Sequence, residues 1–137
     1  ISVAAHILAN EPTLVFLGGS RDQVACIKEA QGLGYRTIVV DSNEQAPGIL
    51  IADFFLHVST RHADKILDEL KRLPITISSI RGVVVQGTDI PHVQAYICER
   101  LGIESIPYES AVVSTDKLRQ RDLLKNEGFK TPQYTLI

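Results

Sequence analysis

Residues 13–41 read TLVFLGGSRDQVACIKEAQGLGYRTIVVD, and this segment alone predicts the class of the fold. Its apolar run, Leu14–Leu17, predicts a strand that is buried on both faces, and Gly18-Gly19 interrupts that run. A helical pattern begins at Ser20, and a second apolar run, Thr37–Val40, predicts another strand that finishes at Asp41. Such a strand–helix–strand unit forms a right-handed crossover between parallel strands, so helices are expected on both faces of a sheet.

The helix in this segment carries its own start and stop signals. Ser20 and Gln23 have the S-x-x-Q spacing of a capping box, in which each residue satisfies an N–H of the first turn. Gly34 is well placed to end the helix. The core-facing residues of the helix are expected to be Val24, Ile27 and Ala30. The glycine turn before the helix is expected to place unpaired N–H groups and a positive dipole end beside a crevice, which suits an anionic group.

The composition indicates one globular domain without a strongly charged partner. The chain has 137 residues, is 45% apolar and carries a net charge of -2. Because basic residues do not cluster, nucleic acid and anionic membrane surfaces are not expected as partners. No run reaches the roughly 20 apolar residues of a membrane-spanning helix, and Ile1–Ala9 lacks the basic start of a signal peptide. Cys26 and Cys98 are expected to be buried, reduced thiols, which favours a cytoplasmic protein.

The rest of the chain alternates the same two patterns. Further strands are predicted at Phe54–Val58 and Gly82–Gln86, with a short fifth strand within Ile103–Tyr108. Further helices are predicted at His62–Leu73 after a Thr60 cap, from an Asp89 cap to Gly102, and at Thr115–Glu127 after a Ser114 cap. The expected core includes Val15, Ile27, Val39, Val84 and Ile97.

These elements predict an α/β fold with a mostly parallel, Rossmann-like sheet in the strand order 3-2-1-4. The division is a lead-in at residues 1–12, the α/β domain at 13–113, and a helix and strand at 114–137. Since the extended segment Thr131–Ile137 has nothing in the sequence to pair with, the chain is expected to be part of a longer protein. In this order the first and fourth strands are neighbours, so Gly18-Gly19-Ser20 and Gly87-Thr88-Asp89 should face each other across a ligand-binding crevice.

Other interpretations of these residues remain open at this point. A dinucleotide fingerprint would place glycines at positions 20 and 23, where Ser20 and Gln23 stand, although Asp41 lies where a ribose-binding acid would. Gly18-Gly19 also suits a simple tight turn, and a carboxylate after a strand often only caps a loop. The four histidines, His6, His57, His62 and His92, are dispersed, so surface or capping roles suffice and no metal site is expected.

A set of motifs in fixed order resembles one superfamily of enzymes. They are G-G-S-R-x-Q from residue 18, G-Y-R-T-I-V-V-D at 34–41, N-E-Q-A-P-G at 43–48, A-D at 52–53, G-T-D at 87–89, and S-T-D-K-L-R-Q-R-x-L-L-K-N-E-G-F-K-T-P at 114–132. Together they resemble the N-terminal part of ATP-grasp carboxylate–amine ligases, the superfamily of carbamoyl phosphate synthetase large chain and biotin carboxylase. The resemblance covers about Thr13 to Ile137.

The resemblance implies a pre-ATP-grasp domain, which lines the carboxylate side of the active site. It implies that the substrate contacts are Gly18, Gly19, Ser20, Gly87, Thr88 and Asp89. It also implies that Lys117 reaches the nucleotide phosphates, whereas the adenine pocket and the Mg²⁺ ligands lie in lobes beyond this chain. ATP and Mg²⁺ are therefore expected as cofactors of the full-length enzyme, and no cofactor is expected for this chain alone. A homodimer is compatible with the resemblance.

The sequence thus predicts the substrate-side domain of an ATP-dependent ligase that activates a carboxylate as an acyl phosphate and couples it to an amine or a similar nucleophile. The first alternative is a stand-alone Rossmann-like ligand-binding or regulatory module without chemistry. The second is a fragment of a nicotinamide-dependent oxidoreductase, which Ser20 and Gln23 disfavour.

Overall fold

The computed structural model describes residues 3–135, apart from the side chains of residues 6 and 7. Its helices are α1 (Val3–Ala9), α2 (Arg21–Gly32), α3 (Ala63–Leu70), α4 (Pro91–Leu101), α5 (Tyr108–Thr115) and α6 (Lys117–Asn126). Its strands are β1 (Thr13–Leu17), β2 (Arg36–Asp41), β3 (Phe54–His57) and β4 (Ile80–Val84), and short 3₁₀ turns cover Pro47–Leu50 and Ile77–Ser79. The surface role predicted for the His6 side chain, and the last two residues of the predicted terminal strand, lie outside the described residues.

The four strands form a parallel sheet in the order β3-β2-β1-β4, which confirms the predicted Rossmann-like topology. Val15 of β1 lies beside Ile38 of β2 on one side and Val83 of β4 on the other. Because β1 and β4 are parallel neighbours, the turn after β1 and the loop after β4 both leave from the carboxyl edge of the sheet. The predicted crevice therefore has its two loops at one edge.

Each face of the sheet carries its own apolar cluster, because successive side chains of a strand point to opposite faces. The larger cluster joins Val15 and Val83 to residues of α3 and α4, including Ile66 and Ile97. The smaller cluster joins Phe16 and Val39 to Ile27 and Ala30 of α2. The parallel strands are thus covered on both faces, as buried β–α–β units require.

Four of the five predicted core residues are fully buried: Val15, Ile27, Val39 and Ile97. Val84 is only half-buried, whereas its neighbour Val83 is 5% exposed. Val84 is therefore less buried than predicted, because β4 is an edge strand and Val84 points toward the smaller cluster. Cys98 is buried, and burial raises the pKa of its thiol, but Cys26 is only half-buried.

Three predicted helix caps are corrected by the structure. Helix α3 begins at Ala63 rather than near Thr60, because the preceding residues form a turn in which the His62 N–H donates to the Ser59 carbonyl at 3.0 Å. Helix α4 begins one residue later than an Asp89 cap requires, with Ile90 at the cap position and Pro91 first in the helix.

Ser114 is not the cap of the last helix. It lies inside α5, where its hydroxyl donates to the Ala111 carbonyl at 2.7 Å. Asp116 is the cap, and its carboxylate accepts from the N–H groups of Leu118 and Arg119 at 3.0 and 3.1 Å. Since α5 spans Tyr108–Thr115, it crosses the predicted division between residues 113 and 114.

The predicted fifth strand does not form. The segment after α4 is irregular up to Pro107, and Tyr108 begins α5, which packs against α4 instead of returning to the sheet. Proline at the start of a helix loses no hydrogen bond, since the first N–H groups of a helix have no partner within it. Residues 131–135 have no regular secondary structure and pair with no strand among the described residues. In the part of the chain that the structure describes, no helix has the length and apolar character needed to cross a bilayer.

Candidate functional site

The glycine turn after β1 is closed by hydrogen bonds within the chain. The Gly18 N–H donates to the Val40 carbonyl at 2.9 Å, and the Gly19 N–H donates to Oδ2 of Asp41 at 2.9 Å. The Ser20 N–H donates to Oε1 of Gln23 at 2.6 Å, which is the contact expected of the capping box. The turn was expected to present unpaired N–H groups, but the N–H groups of Gly18 and Gly19 are paired within the chain, as the capping box predicted for Ser20.

Close packing requires glycine on both sides of this turn. A Cβ on Gly19 would lie 2.7 Å from Cγ1 of Val39, and a Cβ on Gly48 would lie 2.9 Å from Cα of Gly19. The loop after β2 is fastened here, because the Gly48 N–H donates to the Gly19 carbonyl at 2.7 Å. The backbone at Gly18 has a φ of 120°, in the region that favours glycine. Gly18 and Gly19, the two predicted substrate contacts in this turn, are both buried. Their function in the structure is to form a tight turn.

The carboxylate of Asp41 serves the loops rather than an open crevice. One oxygen accepts from Gly19, and the other accepts from the Asn43 N–H at 2.8 Å. A ribose-binding acid accepts from ligand hydroxyls, whereas here each oxygen already accepts from a backbone N–H of the adjoining loops. This arrangement favours the loop-capping interpretation and weakens the nicotinamide alternative.

Gln23 joins the two loops of the crevice. Its side chain is 4% exposed, and its oxygen accepts from both the N–H and the hydroxyl of Ser20, each at 2.6 Å. Its amide nitrogen donates to the Gln86 carbonyl at 2.7 Å, directly before the loop that follows β4. The capping-box spacing indicates the contact with Ser20, but no local pattern indicates a partner 63 positions away. Sequence reasoning therefore missed this bridge.

The loop after β4 presents the open side of the candidate site. Gly87 takes a left-handed φ of 68°, and Gly87, Thr88 and Asp89 are all exposed. Ser20 is also exposed on the other loop. Because Gln23 holds Gln86 against the glycine turn, the structure brings these polar side chains to the same edge of the sheet.

Lys117 lies apart from this pair of loops in the described structure. It is the first residue of α6, its side chain is exposed, and α6 packs against α5. Within residues 3–135, no hydrogen bond or ion pair connects Lys117 to the glycine turn or to the loop after β4. A contact between Lys117 and a nucleotide stays a prediction.

The three histidines with described side chains lie at separate positions of the fold. His57 is exposed, with Nδ1 3.0 Å from the Glu44 carboxylate and Nε2 3.0 Å from the Ser42 carbonyl. His62 is exposed, and His92 is half-buried near the start of α4. Among the described residues, no group of three or more His, Cys, Asp or Glu side chains is arranged to hold a metal ion.

Comparison with known proteins identifies structural relatives. The sequence matches no protein-family model and none of the curated proteins. Phosphoribosylglycinamide synthetase from Anaerococcus prevotii is similar in structure, with a TM-score of 0.71 and 24% identity over 85% of this chain and 29% of that chain. L-amino acid ligase from Bacillus licheniformis is similar with a TM-score of 0.67 and 16% identity over 90% of this chain and 32% of that chain.

A third similar structure was solved with a nucleotide. It is N5-carboxyaminoimidazole synthetase from Staphylococcus aureus in complex with ADP, with a TM-score of 0.65 and 21% identity over 85% of this chain and 30% of that chain. This chain thus spans about a third or less of the length of the structures it matches. At this level of identity the comparison establishes the fold and leaves the activity open. The chain has a Rossmann-like α/β fold, and it shares that fold with part of each of these three structures.

Proposed function

We propose that this chain is the substrate-side domain of an ATP-dependent ligase that couples a carboxylate to an amine or a similar nucleophile. In such an enzyme ATP phosphorylates the carboxylate, and the nucleophile then displaces phosphate from the acyl phosphate. The proposal is supported by the motif series from residue 18 to residue 132 and by a fold shared with synthetases and a ligase. This chain corresponds to about a third of the length of those relatives.

The observation that carries this proposal is the pairing of two loops at the carboxyl edge of the sheet. Open α/β sheets bind ligands where the strand order reverses, which is between β1 and β4 in this topology. Gln23 fixes the distance between the two loops there through Ser20 and Gln86. A rigid framework beneath an exposed polar loop suits substrate positioning, which accounts for much of the catalysis of phosphoryl transfer.

The six candidate substrate contacts divide into two groups by exposure. Gly18 and Gly19 are buried and internally bonded, so in this proposal they shape the turn without touching substrate. The exposed Thr88 hydroxyl can donate to a carboxylate, and Asp89 can accept from the incoming amine, whereas the Ser20 hydroxyl already donates to Gln23 and can only accept. Gly87 gives the loop its left-handed turn.

ATP and Mg²⁺ belong to the same proposal, but most of their binding groups would lie outside this chain. Lys117 is the candidate for a nucleotide phosphate, since its ammonium is exposed at the start of α6. The ADP complex of the Staphylococcus aureus synthetase supports a nucleotide in the full-length protein. A cytoplasmic location fits such an enzyme.

Steady-state kinetics on the full-length protein test the proposal. Thr88→Val and Asp89→Asn preserve side-chain shape but each remove a hydrogen-bonding function. We expect each to raise KM for the carboxylate or the amine about tenfold and to leave KM for ATP unchanged, since bonds to charged groups contribute about 1.5–3 kcal/mol. Lys117→Ala should instead raise KM for ATP and leave the KM values for the carboxylate and the amine unchanged. Glu104→Gln, at an exposed position after α4, is the matched control.

The rival binding module predicts a different outcome. A stand-alone module would bind a ligand at the two loops without consuming ATP. A full-length protein that forms no ADP with any carboxylate and amine pair would contradict the ligase proposal. Normal KM values in all three variants would remove Thr88, Asp89 and Lys117 from the site.

A further inference from the structure

A groove between α3 and α4 has no function in the proposed ligase reaction. Its volume is about 490 Å³, within the roughly 300–1,000 Å³ of small-molecule sites. We propose that it binds a small phosphate monoester that carries an aromatic ring. The side chains used in this argument are Arg61, His62, Lys65, His92, Tyr96 and Tyr108.

The groove lies at the same edge of the sheet as the candidate substrate loops, but it is built from different residues. Helix α3 begins after β3 and helix α4 begins after β4, so both helices start at the carboxyl edge. His92 follows the loop Gly87–Asp89 by only three residues. The groove therefore opens beside that loop, on the face of the sheet covered by α3 and α4.

The charge that lines the groove favours an anion. The Arg61 and Lys65 side chains are exposed, and neither has an ion-pair partner within residues 3–135. Asp64 also lines the groove, but its carboxylate accepts the Tyr96 hydroxyl at 2.8 Å. Two cations thus line the groove with one carboxylate. A dianionic phosphate can take charge-assisted bonds from both cations.

His92 adds a directed donor to these charges. Its Nδ1 is buried and has no hydrogen-bond partner among the described residues. A protonated Nδ1 would be a buried donor without an acceptor, which is costly. The tautomer that carries the N–H on Nε2 avoids that cost. That N–H can donate to a phosphate oxygen.

The aromatic wall of the groove is held in place before any ligand arrives. The guanidinium carbon of Arg100 lies 3.7 Å from the centroid of the Tyr96 ring, whose hydroxyl is bonded to Asp64. The Tyr108 ring meets Tyr96 edge to face, with centroids 6.1 Å apart. The hydrogen bond to Asp64 raises the pKa of Tyr96, so this hydroxyl stays neutral and does not repel an anion. The Tyr108 ring, which is exposed and held against Tyr96, offers a stacking surface to an aromatic ring of the ligand.

Titration of the protein with phenyl phosphate tests the proposal, with histidine and tyrosine ring signals followed by NMR. We expect saturable shifts at His92, Tyr96 and Tyr108. Arg61→Gln and Lys65→Gln should each weaken binding about fivefold, because an exposed charge contact contributes up to about 1 kcal/mol. Lys71→Gln is the control, because Lys71 follows the far end of α3 and pairs with Asp68.

Two further probes separate the parts of the ligand. Inorganic phosphate and phenol should each bind more weakly than phenyl phosphate, and Tyr108→Ala should weaken binding of phenyl phosphate but not of inorganic phosphate. Absence of saturable shifts, or equal binding by the Arg61→Gln and Lys65→Gln variants and the unaltered protein, would overturn the proposal. Unchanged backbone spectra of the variants show that they are folded. The proposal does not depend on the ligase reaction, because the binding assay contains neither ATP nor an amine.

Discussion

At the scale of single residues, Gln23 shows how one polar side chain can serve both local and distant structure. Its position three residues after Ser20 satisfies the start of α2, and its amide reaches across the crevice to Gln86. Because the side chain is buried, each of these bonds is protected from water. Loss of the side chain would leave the Gln86 carbonyl and the Ser20 N–H without these partners.

We predict that Gln23→Met destabilises the fold by about 1–3 kcal/mol, because methionine has a similar volume but cannot make these hydrogen bonds. Urea unfolding measures the change. Amide hydrogen exchange should also accelerate at Ser20, whose N–H donates to Gln23. Gln120→Met, at an exposed position of α6, is the control. A free energy of unfolding equal to that of the unaltered protein would show that the bridge does not stabilise the fold.

At the scale of helices and strands, the start of α6 is decided by a single capping residue. Ser114, Thr115 and Asp116 are all good candidates for the cap of α6, because Ser, Thr and Asp all accept from N–H groups. The structure uses Asp116, since α5 continues through Thr115 and occupies the two earlier positions.

Asp116→Ala should therefore destabilise α6 by about 0.5–2 kcal/mol, the usual range for loss of a cap. Amide exchange at Leu118 and Arg119, whose N–H groups donate to Asp116, reports this change directly. Ser114→Ala is the matched control, and it should leave those two amides unchanged. The opposite result would restore Ser114 as the cap.

The two faces of β4 should also respond differently to truncation. Val83 is 5% exposed in the larger cluster, so Val83→Ala should lower the free energy of unfolding by about 1.5–3 kcal/mol. Val84 is half-buried against the smaller cluster, so Val84→Ala should cost about 1 kcal/mol or less. Urea midpoints compare the two variants, and a larger loss in Val84→Ala would reverse the assignment of the two faces.

At the scale of the whole molecule, the parallel sheet with helices on both faces accounts for the position of every candidate residue except Lys117. The sheet order brings the two loops together at one edge. Lys117 instead lies on α6, whose main packing partner is the helix α5. Residues of α6 are exposed or half-buried, and none is buried. The proposed nucleotide contact therefore needs groups from outside this chain.

We predict that this chain alone binds ATP-Mg²⁺ very weakly. A single exposed ammonium contributes on the order of 1 kcal/mol to binding a phosphate in water, which gives no useful affinity. Isothermal calorimetry measures this, and Lys117→Ala should leave the weak signal unchanged. Micromolar ATP binding by this chain would contradict the division between a substrate side and a nucleotide side.

Local patterns were sufficient for much of this fold. The apolar runs around β1 and β2 predicted buried strands because four consecutive apolar residues suit strands that are covered on both faces. The sequence spacing of strands and helices then restricted the topology, since crossovers between parallel strands are right-handed. The glycines after α2, α4 and α6 predicted helix ends, because each takes a left-handed φ that other residues avoid.

Other features depended on contacts between distant residues. Pattern could not choose among neighbouring caps, nor exclude a strand before α5, because those outcomes depend on how α5 packs against α4. Asp41 looked available to a ligand until the structure placed its carboxylate on Gly19 and Asn43. The sequence by itself determined the class of fold, the strand order and which loops face each other. Only the tertiary structure decided which polar groups of those loops are exposed, because a hydrogen bond such as that from Gln23 to Gln86 joins residues that no local pattern relates.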